Sequence, residues 1–275
     1  MIMKKINIIL ALIVTFFFAS CEEVVDVPLD TAAPRLVVEA TIYWQKETTG
    51  NNQSIKLTTT NDFYSNVVPP ANDAVISMQN SENVVFNFTE LSDTGVYACD
   101  DFVPVLNETY TLKIIYKNET YTATETLMPV VPITKIEQND NGGFAGDQIE
   151  IKAYFDDPAN ITNYYLFEYA YPKEVKSNYS VTYDEFFNGN QFFSINSNED
   201  YVSGEILKIS HYGISQSYYN FLNIILSLSG ENGGGPFQTP PATIRGNIIN
   251  TTNSANFALG YFSLSEVDTK IYTIQ

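Results

Sequence analysis

Five stretches of this chain are rich in β-branched and aromatic residues and carry no helical period. They are Arg35–Trp44 (RLVVEATIYW), Thr109–Tyr116 (TYTLKIIY), Glu119–Leu127 (ETYTATETL), Gln148–Phe155 (QIEIKAYF) and Asn163–Tyr171 (NYYLFEYAY). A period of two puts every second side chain on one face, which suits a half-buried strand and no helix. Shorter segments of the same kind, Ser54–Thr60, Ala74–Met78, Val84–Phe88 and Gly95–Cys99, lie among them. Ala74–Met78 and Val84–Phe88 flank the turn-rich Gln79–Asn83 and predict a hairpin, and Asn118 marks the tight turn before Glu119. About seven short strands with frequent turn signals predict a sandwich.

The fold class expected is therefore mainly β, an N-terminal immunoglobulin-like β-sandwich over residues 34–130 followed by a second β-rich domain with one packed α-helix. Leu91–Cys99 (LSDTGVYAC) looks like the D-x-G-x-Y-x-C stretch of an immunoglobulin strand. The facing cysteine of that fold is missing, since the one other cysteine is Cys21. Tyr97 is left to make a corner hydrogen bond. The Pro-bounded connector Met128–Ile133 places a boundary near residue 130, and the second domain takes 131–275. There Asn139–Gly146 reads as a Gly- and Asn-rich loop, and Val181–Phe187 and Phe192–Ile195 flank Asn188-Gly189-Asn190 as a hairpin. Glu205–Tyr212, Asn256–Leu264 and Lys270–Ile274 read as further strands. Ser217–Leu228 is the helix, with Ser217 as cap and Gly230 as terminator. Tyr218, Phe221, Leu222, Ile225 and Leu228 form its apolar stripe, expected to pack on the sheet. Glu231–Thr243 is a long Gly/Pro-rich loop.

The first twenty residues carry a different message. Lys4 and Lys5 precede an apolar run from Ile6 to Phe18, then Ala19, Ser20 and Cys21. A basic start, a short apolar stretch and small residues before a cleavage point make a signal peptide, 1–20. The run is too short to span a bilayer, which needs about 20 residues. Ala19-Ser20-Cys21 resembles a bacterial lipobox, with Phe18 in place of the usual leucine; the resemblance implies cleavage before Cys21 and its acylation. Several acyl chains on Cys21 would hold the protein firmly, at about 0.8 kcal/mol per buried methylene. Residues 21–33 then form a lipidated tether. Glu22, Glu23 and Asp26 resemble the surface-export signal of Bacteroidota lipoproteins, and Asp30-Thr31-Ala32 looks like an O-glycosylation sequon, making Thr31 a candidate glycosylation site.

Charge narrows the partners. The formal net charge is -18; losing Lys4 and Lys5 leaves 12 basic against 32 acidic residues, or -20. Such a chain repels nucleic acid, whose binding rests on Lys and Arg at phosphates. Catalytic constellations are sparse. The single histidine, His211, sits on a predicted strand with no nucleophile elbow nearby, so a Ser-His-Asp arrangement is not supported. One His and one remaining Cys make a poor zinc site. The acid doublets Asp100-Asp101, Asp156-Asp157, Asp184-Glu185 and Glu199-Asp200 place neighbours on opposite strand faces, which suits turns better than a facing glycosidase pair. No catalytic residue, cofactor or metal is expected.

Read together, PRLVVEATI, TLKIIY-x-x-x-TYTATETLMPVVPI, YFDDP-x-x-x-x-NYYLFEY, DEFFNG, ISQSYYNFLNIILSL, GGGPFQTPPATIRGNI and ALGYF are similar to domain-of-unknown-function 4249, a family of Bacteroidota outer-membrane lipoproteins. The resemblance implies a TonB-dependent outer-membrane receptor as partner and assigns no reaction. The function expected is that of a non-enzymatic accessory or ligand-capture lipoprotein of such a transporter, lipid-anchored in the outer membrane and exposed at the cell surface. A structural or adhesive surface module is the alternative, and a glycan hydrolase the least favoured reading.

Overall fold

In a computed structural model the described residues are 33–229 and 244–275. Cys21, Thr31, Gly230 and the Glu231–Thr243 loop lie outside them. The first seven strands are β1 (Leu36–Gln45), β2 (Gln53–Thr59), β3 (Val75–Gln79), β4 (Val85–Glu90), β5 (Val96–Cys99), β6 (Thr109–Tyr116) and β7 (Glu119–Thr126). Next come β8 (Ile133–Gly142), β9 (Gln148–Asp156), β10 (Tyr164–Ala170), β11 (Asn178–Tyr183), β12 (Gln191–Asn198) and β13 (Ile206–Ile214). Helix α1 (Gln216–Ser229) follows, then the short β14 (Ile249–Asn250) and the long β15 (Leu259–Thr273). One sheet runs β11-β10-β13-β15-β1-β2-β5-β4-β3-β6-β7-β14, and a smaller one runs β12-β9-β8.

The large sheet folds over at β4. Thr89 and Glu90 pair with β5, while Val85–Phe88 pair with β3. The two halves enclose an immunoglobulin-like core in which Val38, Ile42, Ile55 and Leu57 pack with Met78, Leu112 and Ile114. Each is at or near complete burial, worth about 1.5–3 kcal/mol per large aliphatic side chain. The predicted hairpin of β3 and β4 forms, and β6 turns into β7 through Lys117 and Asn118, both with positive φ. Two such residues give the turn whose twist matches the strands.

A second core lies between the small sheet and the other end of the large one. Ile151, Ala153 and Phe155 of β9 meet Tyr165, Phe167 and Tyr169 of β10. The next residue over, Leu166, points the opposite way and joins Tyr212, Tyr218 and Tyr261 in a third cluster under α1. Strand β10 is therefore covered on both faces, which explains its unbroken aromatic run. Within the described residues, Pro34–Asn61 and Ser65–Gln275 form one compact unit. Leu127 belongs to the first core and Val130 to the second. The chain then returns, for Ile248, Ala258, Phe262 and Leu264 complete the first core.

Strand β15 makes this possible. It pairs in parallel with β1 and antiparallel with β13. Gly260 has φ +96, and a Cβ there would lie 1.9 Å from the Val38 carbonyl oxygen, so only glycine fits this parallel contact. The sequence patterns predicted two strands, Asn256–Leu264 and Lys270–Ile274; the structure joins them. The intervening Glu266 and Asp268 disguised the continuity, because carboxylates on a core face break the apolar pattern.

Other differences have equally local causes. Strand β8 reaches Gly142, so the expected Asn139–Gly146 loop shrinks to a turn centred on Gly143–Gly146. β11 and β12 form no hairpin: β11 pairs with β10 and β12 with β9, and a 3-10 turn, Asp184–Phe186, lies between. Buried Asp184 organises that turn by accepting hydrogen bonds from Asn163 N at 3.0 Å and Asn188 Nδ2 at 2.7 Å. On α1 the buried positions are Tyr218 and Leu226, whereas Ile225 and Leu228 of the expected stripe are exposed. The cap is Ser215, whose hydroxyl accepts from Tyr218 N at 3.1 Å, in place of Ser217.

Candidate functional site

The residues singled out by sequence stand apart from one another. The lipidation and glycosylation candidates, Cys21 and Thr31, are outside the described residues. Cys99 is buried with its thiol donating to Asp101 Oδ1 at 3.0 Å. His211 is fully buried among Phe155, Tyr165 and Phe167, stacked on Phe167 at 4.1 Å. Burial pushes its imidazole down to about 3, so the ring is neutral at ordinary pH. Two of the acid doublets divide between inside and outside. Asp157 is buried and accepts from the Tyr165 hydroxyl at 2.6 Å and from Gly189 N at 3.0 Å, while Asp156 is exposed. Asp184 is buried and Glu185 exposed; Asp100, Asp101, Glu199 and Asp200 are all exposed. Among the described residues no group of three His, Cys, Asp or Glu side chains is arranged to hold a metal ion.

The arrangement best suited to holding something is a groove of about 390 Å³ beside α1. Its first wall is the helix, through Asn220, Phe221 and Ile224. Its floor is Tyr261 of β15, whose ring lies 4.6 Å from that of Phe221. The second wall is the segment Ile244–Asn247. That wall is clamped to β15: Asn247 Nδ2 donates to the Phe262 carbonyl at 2.8 Å, and Phe262 N donates to Asn247 Oδ1 at 2.9 Å. Gly246 presses so close that a Cβ would sit 1.5 Å from the Gly260 carbonyl oxygen. The groove is consequently built from fixed parts.

Beneath the helix N-terminus lies Glu125 of β7. Its Oε2 accepts from Ser215 Oγ at 2.9 Å, Ser217 Oγ at 3.3 Å and the Tyr261 hydroxyl at 3.4 Å, and its Oε1 from Thr126 N at 3.1 Å. A carboxylate at a helix start also complements the helix dipole. Burial pushes the Tyr261 hydroxyl up to about 12, with Glu125 adding and Ser217 opposing. The floor is therefore a neutral phenol. This site went unseen in the sequence, yet one signal was there: in ETYTATETL the alternation puts Glu125 on the same face as Tyr121 and Ala123. An acid at a core position needs a polar partner.

A second, more open groove of about 530 Å³ lies along Glu174, Lys176 and Asn198. Of its two acids, Glu174 is already engaged, accepting from Asn178 Nδ2 at 3.1 Å and from Asn198, and Glu199 is exposed to solvent.

The profile of the family described as Domain of unknown function (DUF4249) matches residues 22–271. The chain belongs to the DUF4249 family. No curated protein matches this DUF4249 chain. Among solved structures it is similar to a DUF4785 family protein from Legionella pneumophila, at 9% identity and a TM-score of 0.27. That match covers 65% of the DUF4249 chain and 52% of the Legionella protein, so the chain spans about half of the latter's length. A segment of two fibronectin type-III domains from chicken tenascin is similar at 10% identity and a TM-score of 0.22, over 66% of this chain and 90% of that one. A pullulanase from Anoxybacillus is similar at 8% identity and a TM-score of 0.20, over 58% and 22%.

Proposed function

We propose that the chain is a non-enzymatic accessory lipoprotein of the outer membrane, held by acylated Cys21, exposed at the cell surface, and associated with a TonB-dependent transporter. The observation that carries the reading is the outer face of α1. Ile225 and Leu228 are 39% and 47% exposed on one short helix beside the groove. Apolar residues grouped on a surface suit a partner contact. The lipobox-like Ala19-Ser20-Cys21, directly before the family match at residue 22, supports the anchor. The buried acids Asp157, Asp184 and Glu125 each hold a turn or a helix start, which supports a structural role for them over bond-breaking.

Affinity purification of the full chain from membranes in a mild neutral detergent tests the partnership. A receptor barrel recovered with the native chain, and lost with Ile225→Glu and Leu228→Glu, is the expected result. Recovery of the protein alone counts against the reading. Labelled palmitate entering the native chain but not Cys21→Ser tests the anchor separately.

A further inference from the structure

The chain contains two arginines, Arg35 and Arg245, and both lie on one ring. The guanidinium carbons are 3.8 Å and 4.0 Å from the Phe257 centroid. They come from opposite ends of the sequence, Arg35 from the residue just before β1 and Arg245 from the wall of the groove. Six of the ten described lysines, Lys46, Lys56, Lys135, Lys152, Lys173 and Lys270, meet a carboxylate, whereas among the described residues neither arginine does. The Arg35 side chain donates one bond, from Nη1 to the Ala255 carbonyl at 3.2 Å. In a chain of net charge -18 this leaves two adjacent, stacked and unneutralised cations.

Packing against Phe257 restrains both guanidinium groups. A guanidinium so held can receive a carboxylate through two parallel N–H donors. The groove next to Arg245 supplies the other half of a ligand site. Phe221, Ile224 and Ile244 wall it and the neutral Tyr261 floors it. Its volume falls within the range of small-molecule pockets, which are mostly apolar with a few placed polar groups. Among the described residues two acids lie near the groove and the arginines, and both are engaged: Glu125 accepts from three hydroxyls and a backbone amide, and Glu119 accepts from Tyr121, Asn250, Asn253 and Asn256.

We propose that this groove binds a small organic carboxylate with an apolar or aromatic body, the body against Phe221 and Tyr261 and the carboxylate on Arg245, with Arg35 adding long-range attraction. The site needs neither a transporter nor a membrane, so it stands independently of the proposed partnership.

The full chain, held in nanodiscs of neutral phospholipid, is titrated with naphthoate and with its uncharged amide. The expected result is saturable binding of the carboxylate, about tenfold or more tighter than the amide, weakening as salt rises. Arg245→Gln lowers naphthoate affinity about tenfold or more and leaves amide binding little changed; Arg245→Lys restores only part of it. Ile224→Ser weakens both ligands. Arg245 is exposed, so these variants keep the fold, which circular dichroism checks. No saturable binding, equal binding of acid and amide, or naphthoate affinity unaffected by Arg245→Gln overturns the proposal.

Discussion

Glu266 and Val130 are 136 residues apart in sequence, and the Val130 amide donates to Glu266 Oε2 at 2.9 Å. The other oxygen of the same carboxylate pairs with Lys46 Nζ at 2.8 Å. Two positions along β15, Asp268 Oδ2 accepts from Ile133 N at 2.8 Å. The connector between the two cores is thus fastened by acids on one face of one strand. Glu266→Ala leaves a buried amide without an acceptor and Lys46 without its partner. It is expected to cost about 1–3 kcal/mol in urea unfolding. Glu266→Gln keeps an oxygen for Val130 and is expected to lose less. An alanine variant with an unaltered midpoint contradicts this role.

Tyr97 supports the first core in a similar way. Its hydroxyl donates to the Ala71 carbonyl at 2.7 Å and accepts from Ala74 N at 3.0 Å. Two backbone groups of the segment before β3 are satisfied by one side chain. Tyr97→Phe preserves the ring and strands both groups, so it should lower stability by about 1–3 kcal/mol with the fold retained. Hydrogen exchange at the Ala74 amide should accelerate more than at Leu112, deep in the core.

A hydrogen-bonded Tyr97 was legible from LSDTGVYAC, although its partners Ala71 and Ala74 lie in a distant segment and not in an adjacent corner; nearly all strands whose inward residues are apolar were legible too. What stayed hidden shares one cause. Glu125, Glu266 and Asp268 are carboxylates on buried faces, and each is explained by a partner distant in sequence. Residue pattern reports the period of a strand, not the element that will lie on it. The failed hairpin around Gly189 teaches the same lesson: the turn residues were right, since Gly189 has φ +75, but the flanking strands went to different sheets. Tertiary contacts chose the pairing that local chemistry left open.

His211 gives a pH prediction. Neither ring nitrogen has a hydrogen-bond partner among the described residues, and the pull of the Val131 backbone is smaller than the cost of burial. Lys46 nearby also disfavours the charged ring, while Asp268, its register partner, is engaged with Ile133 N. The folded value near 3 lies below the ordinary 6.5. Between those values the unfolded chain takes a proton that the native ring refuses. Stability therefore falls as pH drops through this window, by up to about 1.4 kcal/mol per unit from this group, and is unaffected by it above the window. His211→Phe, matched to the aromatic surroundings, should remove this slope. Equal acid sensitivity of the native chain and the variant in urea titrations rules out His211 as its source.

Cys99 provides the last prediction. Burial, followed by the Asp101 carboxylate, pushes its thiol up to about 11. Thiolate is the reacting form, and in an unfolded chain a cysteine titrates near 8.5. At about pH 8 the native thiol should react with a disulfide reagent roughly a hundredfold more slowly than after unfolding in urea. In a Cys21→Ser chain, which keeps Cys99 as its one cysteine, the reaction reports this one side chain. Its rate in intermediate urea then follows the opening of β5, where Cys99 pairs in register with Gln53 of β2. Rapid labelling of the folded protein, with unfolding adding nothing, contradicts a thiol enclosed at the rim of the first core.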